Sequence, residues 1–130
     1  MIEIQTSAGL PINSINIGQV FPGAITTITN NLIIKTVTDP GYDDLRLTAL
    51  IGTRSFGVNE VITEKWIEVS VNSGAWTPIG GTPVTPGNYL VVTKPSAGTS
   101  VSLRVRLNVP VGAATFGDFF VVLDLFYKVE

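Results

Sequence analysis

Apolar and polar residues alternate along much of this chain with a period of two. Val101, Leu103, Val105, Leu107 and Val109 interleave with Ser102, Arg104, Arg106 and Asn108. Successive side chains of a strand point to opposite faces, so this pattern predicts a half-buried strand over residues 100–109. Leu45, Leu47, Ala49 and Ile51 repeat it with Arg46 and Thr48 facing out, and Ile67, Val69 and Val71 repeat it within residues 65–72. Shorter runs predict strands at residues 2–6, 15–20, 25–29, 32–38, 88–94 and 119–129. No segment reads as a helix of useful length.

Between these runs stand Pro22-Gly23, Asp39-Pro40-Gly41, Asn72-Ser73-Gly74, Gly80-Gly81, Pro86-Gly87, Pro95-Ser96-Ala97-Gly98 and the loop at 110–117. Glycine supplies positive φ, while proline presets φ and withholds a donor from any central ladder. Many short strands so punctuated predict one all-β domain over residues 1–130, an antiparallel β-sandwich of Ig-like type, with the jelly roll as competing topology. The last two strands are expected to form a hairpin around residues 110–118. That places Arg104 opposite Asp124 on the outer face, within about two residues of register.

Composition sharpens this picture. With 130 residues, the chain can bury roughly two-thirds of the surface its unfolded form exposes, so one core suffices. It has no cysteine, which leaves stability to packing and sheet hydrogen bonds. Only 14% of residues are charged, against about 25% in ordinary soluble proteins, and mean hydropathy is +0.39. A surface so short of charge is ill suited to a lone monomer, which predicts cover by neighbouring copies or partners. The net charge of −2 and scattered basic residues argue against nucleic acid. No apolar run reaches the roughly 18 residues of a membrane helix. The opening Met1-Ile2-Glu3-Ile4-Gln5 lacks the basic and apolar regions of a secretory signal, so use without export is expected.

Two features point to a contact surface. On the final strand Phe119, Val121, Leu123, Leu125, Tyr127 and Val129 should face the core, yet Phe120, Val122 and Phe126 share the other face with Asp124 and Lys128. An apolar cluster among charges is a candidate interface, unless a loop or the N-terminal strand of the same chain covers it. Trp66 is in phase with Glu68 and Ser70, on the outer side of its strand. A three-residue loop Asn72-Ser73-Gly74 with Gly74 left-handed sets Trp76 beside Ser70 on that side, whereas a two-residue loop Ser73-Gly74 sends it into the core. Both tryptophans outside make a platform for a protein or a sugar; the alternative is that they cap or fill the sandwich.

Catalytic chemistry is sparse. Without histidine or cysteine, the usual general base, nucleophilic triads and zinc sites are missing. Carboxylate pairs drawn from Glu60, Glu64, Glu68 and Asp124 follow no catalytic pattern. Asp39, Asp43 and Asp44 crowd one turn and form a weak calcium candidate, although their spacing fits no EF-hand loop. No glycine-rich segment precedes a helix that could receive phosphate. A non-enzymatic protein without cofactor is expected.

Leu107-Asn108-Val109-Pro110-Val111-Gly112-Ala113-Ala114, followed by Gly117-Asp118-Phe119-Phe120, resembles the closing hairpin of bacterial and phage Ig-like sandwiches. Trp66-Ile67-Glu68-Val69-Ser70 and Ser73-Gly74-Ala75-Trp76-Thr77-Pro78-Ile79 resemble hairpins of those modules and of phage tail and head accessory proteins. The resemblance covers about half the chain, lacks the immunoglobulin disulfide and transfers no functional residues. It implies a virion structural protein of tailed phages, assembled in the host cytoplasm, foremost a capsid decoration or cement protein and next a tail or baseplate component. Its partners would be the major capsid or tail protein and its own copies in a homo-oligomer, with no nucleic acid and no membrane. An extracellular sugar-binding module using Trp66, Trp76, Tyr42 or Tyr89 is the rival.

Overall fold

Alternating segments pair because each exposes one apolar face and a row of unsatisfied backbone donors and acceptors, and sheet formation buries the first while satisfying the second. The computed structural model describes residues 2–6, 8–12, 15–20, 23, 25–27, 32–38, 41–51, 62, 64–112 and 117–129, with backbone alone at 15–20, 26–27, 42–43, 50–51, 117–121 and 128–129. Among these residues run ten strands: β1 (Ile2–Thr6), β2 (Ile15–Val20), β3 (Ile25–Thr27), β4 (Leu32–Thr36), β5 (Tyr42–Ile51), β6 (Ile67–Val71), β7 (Thr77–Pro78), β8 (Leu90–Val91), β9 (Ser100–Asn108) and β10 (Gly117–Val129). Periodicity locates nine of them. The short β7 carries no alternation of its own and is held by pairing to β6, with Glu68 opposite Pro78 and Val69 opposite Thr77.

The strands form two antiparallel sheets, the sandwich that the alternation predicts. One runs β1-β4-β9-β6-β7, with β3 also on β9; the other runs β2-β10-β5-β8. The pairs β2–β10, β4–β9, β5–β8 and β6–β7 nest one inside the next. That is a long double ribbon wound on itself, the jelly-roll order among the two topologies left open by the sequence.

The expected closing hairpin does not form. β9 and β10 are successive in sequence but lie in different sheets. Pro110 has no N–H to continue a ladder, and Val109 before it is buried, so the chain leaves the first sheet there. The Pro110 carbonyl instead accepts from Gly23 N–H at 3.1 Å. Arg104 consequently sits opposite Ser70, and Asp124 opposite Thr48.

Between the sheets Leu32, Ile34, Leu47, Ile67, Val69, Ile79, Leu103 and Leu107 are fully buried. The turns follow their residues. Thr85-Pro86-Gly87-Asn88 and Ser96-Ala97-Gly98-Thr99 each close with a hydrogen bond from the fourth N–H to the first carbonyl. Their glycines have φ of 87° and 78°, a conformation that disfavours a Cβ. Thr36 fastens the second turn from inside, its hydroxyl donating 2.8 Å to the Pro95 carbonyl.

Candidate functional site

The outer face of the first sheet is polar. β9 contributes Ser102, Arg104, Arg106 and Asn108, with Glu68 opposite Arg106 on β6. Arg106 Nε donates 2.6 Å to the Glu68 carboxylate, and both side chains are largely shielded from water. Trp76 lies over this pair of arginines, its ring centroid 4.4 Å from the Arg106 guanidinium carbon and 4.9 Å from that of Arg104. The negative face of an indole attracts cations, so the ring lodges on the face instead of entering the core.

The turn that sets Trp76 there differs from both loops considered above. Gly74 N–H bonds the Val71 carbonyl at 3.0 Å, and the left-handed residues are Asn72 (φ 52°) and Ser73 (φ 59°), not Gly74. Positive φ at both central positions is the hairpin turn that matches strand twist. Such a turn alone would set Val69 opposite Trp76; instead Val69 faces Thr77, so one extra residue bulges on the β7 side. The buried Ser70 hydroxyl closes the bulge by donating 2.8 Å to the Gly74 carbonyl.

The outer face of the second sheet is apolar. Phe126, Arg46 and Val91 form one row across β10, β5 and β8. Phe126 and Arg46, with Asp44, Pro83, Val84 and Tyr127 but without Val91, line a hollow of about 330 Å³. Arg46 is fully engaged here. Its Nε and Nη2 donate to the Asp44 carboxylate at 3.0 and 3.1 Å, Nη1 donates to the Pro83 carbonyl, and the guanidinium stacks on Tyr89 at 4.3 Å. The hydrogen bonds that Arg46 donates to Asp44 raise its pKa above its ordinary value, against an opposing desolvation and with further help from the charges of Asp44 and Tyr89. Asp44 reaches Arg46 because β5 bulges: Phe126 pairs with Arg46 but Lys128 with Asp43, so Asp44 and Leu45 together oppose Tyr127, and Asp44 takes φ 52°.

Of the residues singled out as an interface, Phe126 is exposed and Val122 is half-buried, both on this second face. The Phe120 side chain lies outside the described residues; its backbone pairs with Asn16 of β2. Trp66 corrects the expectation. It precedes β6, beyond a left-handed Lys65 (φ 55°), and is buried in the core, so it makes no outer platform with Trp76. Strand phase says which side a position is on, not whether it is covered: the Trp66 carbonyl still accepts from Asn108 N–H at 2.9 Å, in register with β9, yet the side chain is buried. For calcium, Asp39 and the Asp43 side chain lie outside the described residues, Asp44 is engaged by Arg46, and no group of three metal-ligating side chains stands together among the described residues.

Sequence reasoning missed Val84, Val91 and the Arg46–Tyr89 stack. Arg46 was legible as outward-facing, but Val84 lies in a Pro- and Thr-rich stretch without alternation, and Val91, although within the strand expected at 88–94, has outer-face neighbours Arg46 and Phe126 that come from distant strands. Val92 N–H bonds the Leu45 carbonyl at 2.9 Å, and Ala49 N–H the Gly80 carbonyl at 2.9 Å. Compared with protein-family models, with curated proteins and with solved structures, the chain matches none.

Proposed function

We propose that this chain is a non-enzymatic structural protein that works by adhesion, foremost a capsid decoration or cement protein of a tailed-phage virion and next a tail or baseplate component. One observation carries the adhesive reading: around the hollow Val84 is 78%, Phe126 39% and Tyr127 37% exposed, with Val91 of the same outer row as Phe126 63% exposed, about an arginine already neutralised by its own chain. Soluble monomers rarely leave extensive apolar patches open, and such patches mark surfaces that bind other proteins. Leu10, Ile25, Val37 and Val111 are also exposed, but none lines this hollow. The low charge content supports the same conclusion, because few ionic groups must be stripped of water when this face is covered.

The virion assignment draws on the likeness of residues 66–79 to hairpins of phage tail and head accessory proteins; the likeness of residues 107–120 to a closing hairpin adds nothing, because β9 and β10 lie in different sheets. The jelly-roll order is compatible with it, since capsid proteins use that architecture, although fold alone does not choose a function. Trp66 in the core and Tyr89 under Arg46 remove two of the four aromatics that a sugar platform would use.

The test is composition of the particle. Mass spectrometry of virions purified from the source should find the chain in many copies, and gold-labelled antibody should place it on head or tail. Particles that lack it overturn the virion reading.

A further inference from the structure

The two outer faces carry complementary leftovers. On the first sheet Arg104 is exposed and touches the Trp76 ring, while its neighbour Arg106 is neutralised by Glu68. On the second sheet Asp124 is partly exposed, between half-buried Val122 and exposed Phe126. Among the described residues neither Arg104 nor Asp124 has an oppositely charged partner. Strand phase suggested that these two would meet across a hairpin, but the crossing at Pro110 sends them to opposite sides of the sandwich.

We propose that the partner of each is a second copy of this chain: the Trp76–Arg104 face of one molecule docks on the Asp124–Phe126 face of the next. This rests on the adhesive reading above and extends it by naming occupant and geometry. Charge complementarity selects the arrangement. Among the described residues, a two-fold pairing of first faces offers Arg104 a nearest carboxylate, Glu68, that Arg106 already holds, and a two-fold pairing of second faces offers Asp124 a nearest cation, Arg46, that Asp44 already holds, so neither gains a free partner. Joining unlike faces instead matches arginine with carboxylate and sets the Trp76 ring toward Phe126. Because the joined surfaces differ and lie on opposite sides, the contact does not end at a dimer: each added copy presents a fresh face, giving a ring where the rotation closes and a stack where it does not.

Sedimentation velocity on the full chain from micromolar to millimolar concentration reads this directly. Wild type should show a concentration-dependent ladder of species. Arg104→Glu leaves both faces acidic and Asp124→Lys leaves both basic, so each alone should weaken association at least about tenfold. Mixing these two variants should restore association, as should the double variant R104E/D124K, in which the charges are exchanged. Asp124→Asn, which removes the charge without adding bulk, should weaken association alone, and near-UV circular dichroism checks that each variant keeps its packing. A chain that stays monomeric at millimolar concentration, a dimer indifferent to both reversals, or single defects that mixing fails to repair each overturns the proposal. A monomer that is nevertheless found in virions loses this inference and keeps the virion reading, whereas a head-to-tail assembly missing from particles does the reverse.

Discussion

The two outer faces of the sandwich come from equally alternating strands and end with opposite characters. On the first sheet polar groups satisfy one another: Glu68 holds Arg106 at 2.6 Å, Asn108 reaches the same carboxylate at 3.5 Å, and Trp76 covers the guanidiniums. On the second sheet the one described ion pair, Asp44–Arg46, is fully engaged beside Phe126, Val84 and Val91, and the apolar side chains remain open. One face secures itself with the chain's own charges, while the other spends its ion pair locally and leaves hydrocarbon to water. An outward strand position therefore says little about exposure until its neighbours are known. Thr48 makes the point from the other side: its strand phase is outward, opposite Asp124, yet it is fully buried and its hydroxyl has no hydrogen-bond partner.

This contrast can be broken or sharpened by substitution. The largest effect is expected at Trp66: replacing this core side chain with alanine should cost about 3–5 kcal/mol in chemical denaturation. Glu68→Ala leaves Arg106 largely shielded without its acid and should cost about 1–3 kcal/mol, with Arg106→Ala costing less than the unpaired charge does. Trp76→Ala should lose only about 1 kcal/mol, chiefly its stacking on the arginines, despite deleting the same side chain as at position 66. Thr48→Val removes an unpartnered buried hydroxyl at constant shape and should be neutral or stabilising by up to about 1 kcal/mol. Phe126→Ser should move stability least, within about 0.5 kcal/mol, while reducing self-association at high concentration. An equal loss at positions 66 and 76, or a large stability cost at 126, would erase the distinction between a face that serves the fold and one that serves a neighbour.

Much of the fold was legible because strand periodicity and turn chemistry are local. Residues 2–6 and 15–20 form strands with the bounds that alternation predicts, and Gly23, Gly41, Gly87 and Gly98 adopt positive φ at turns their sequences announce. The candidate site was legible only in part. Phe126 and Arg46 were correctly read as outward, since both lie within long alternating strands. Val84 was not, because it lies in a Pro- and Thr-rich stretch without alternation, and Val91, although within the strand expected at 88–94, was not singled out because its outer-face neighbours Arg46 and Phe126 come from distant strands. Trp66 failed for another reason: phase does not say what covers a position, and this side chain is buried although its backbone stays in register with Asn108.

From its residues alone this protein is an all-β sandwich lacking cysteine and histidine, poor in charge, with outward-facing arginines on residues 100–109. Those properties follow from side-chain chemistry and a period of two, which the long strands display locally. Which sheet receives β10, and therefore whether Arg104 meets Asp124 or stands on the opposite face, was decided only in three dimensions. Pro110 ends one ladder without specifying where the next begins; that choice belongs to the pairing of β10 with β2 and β5, strands distant in sequence that supply the backbone partners β10 needs.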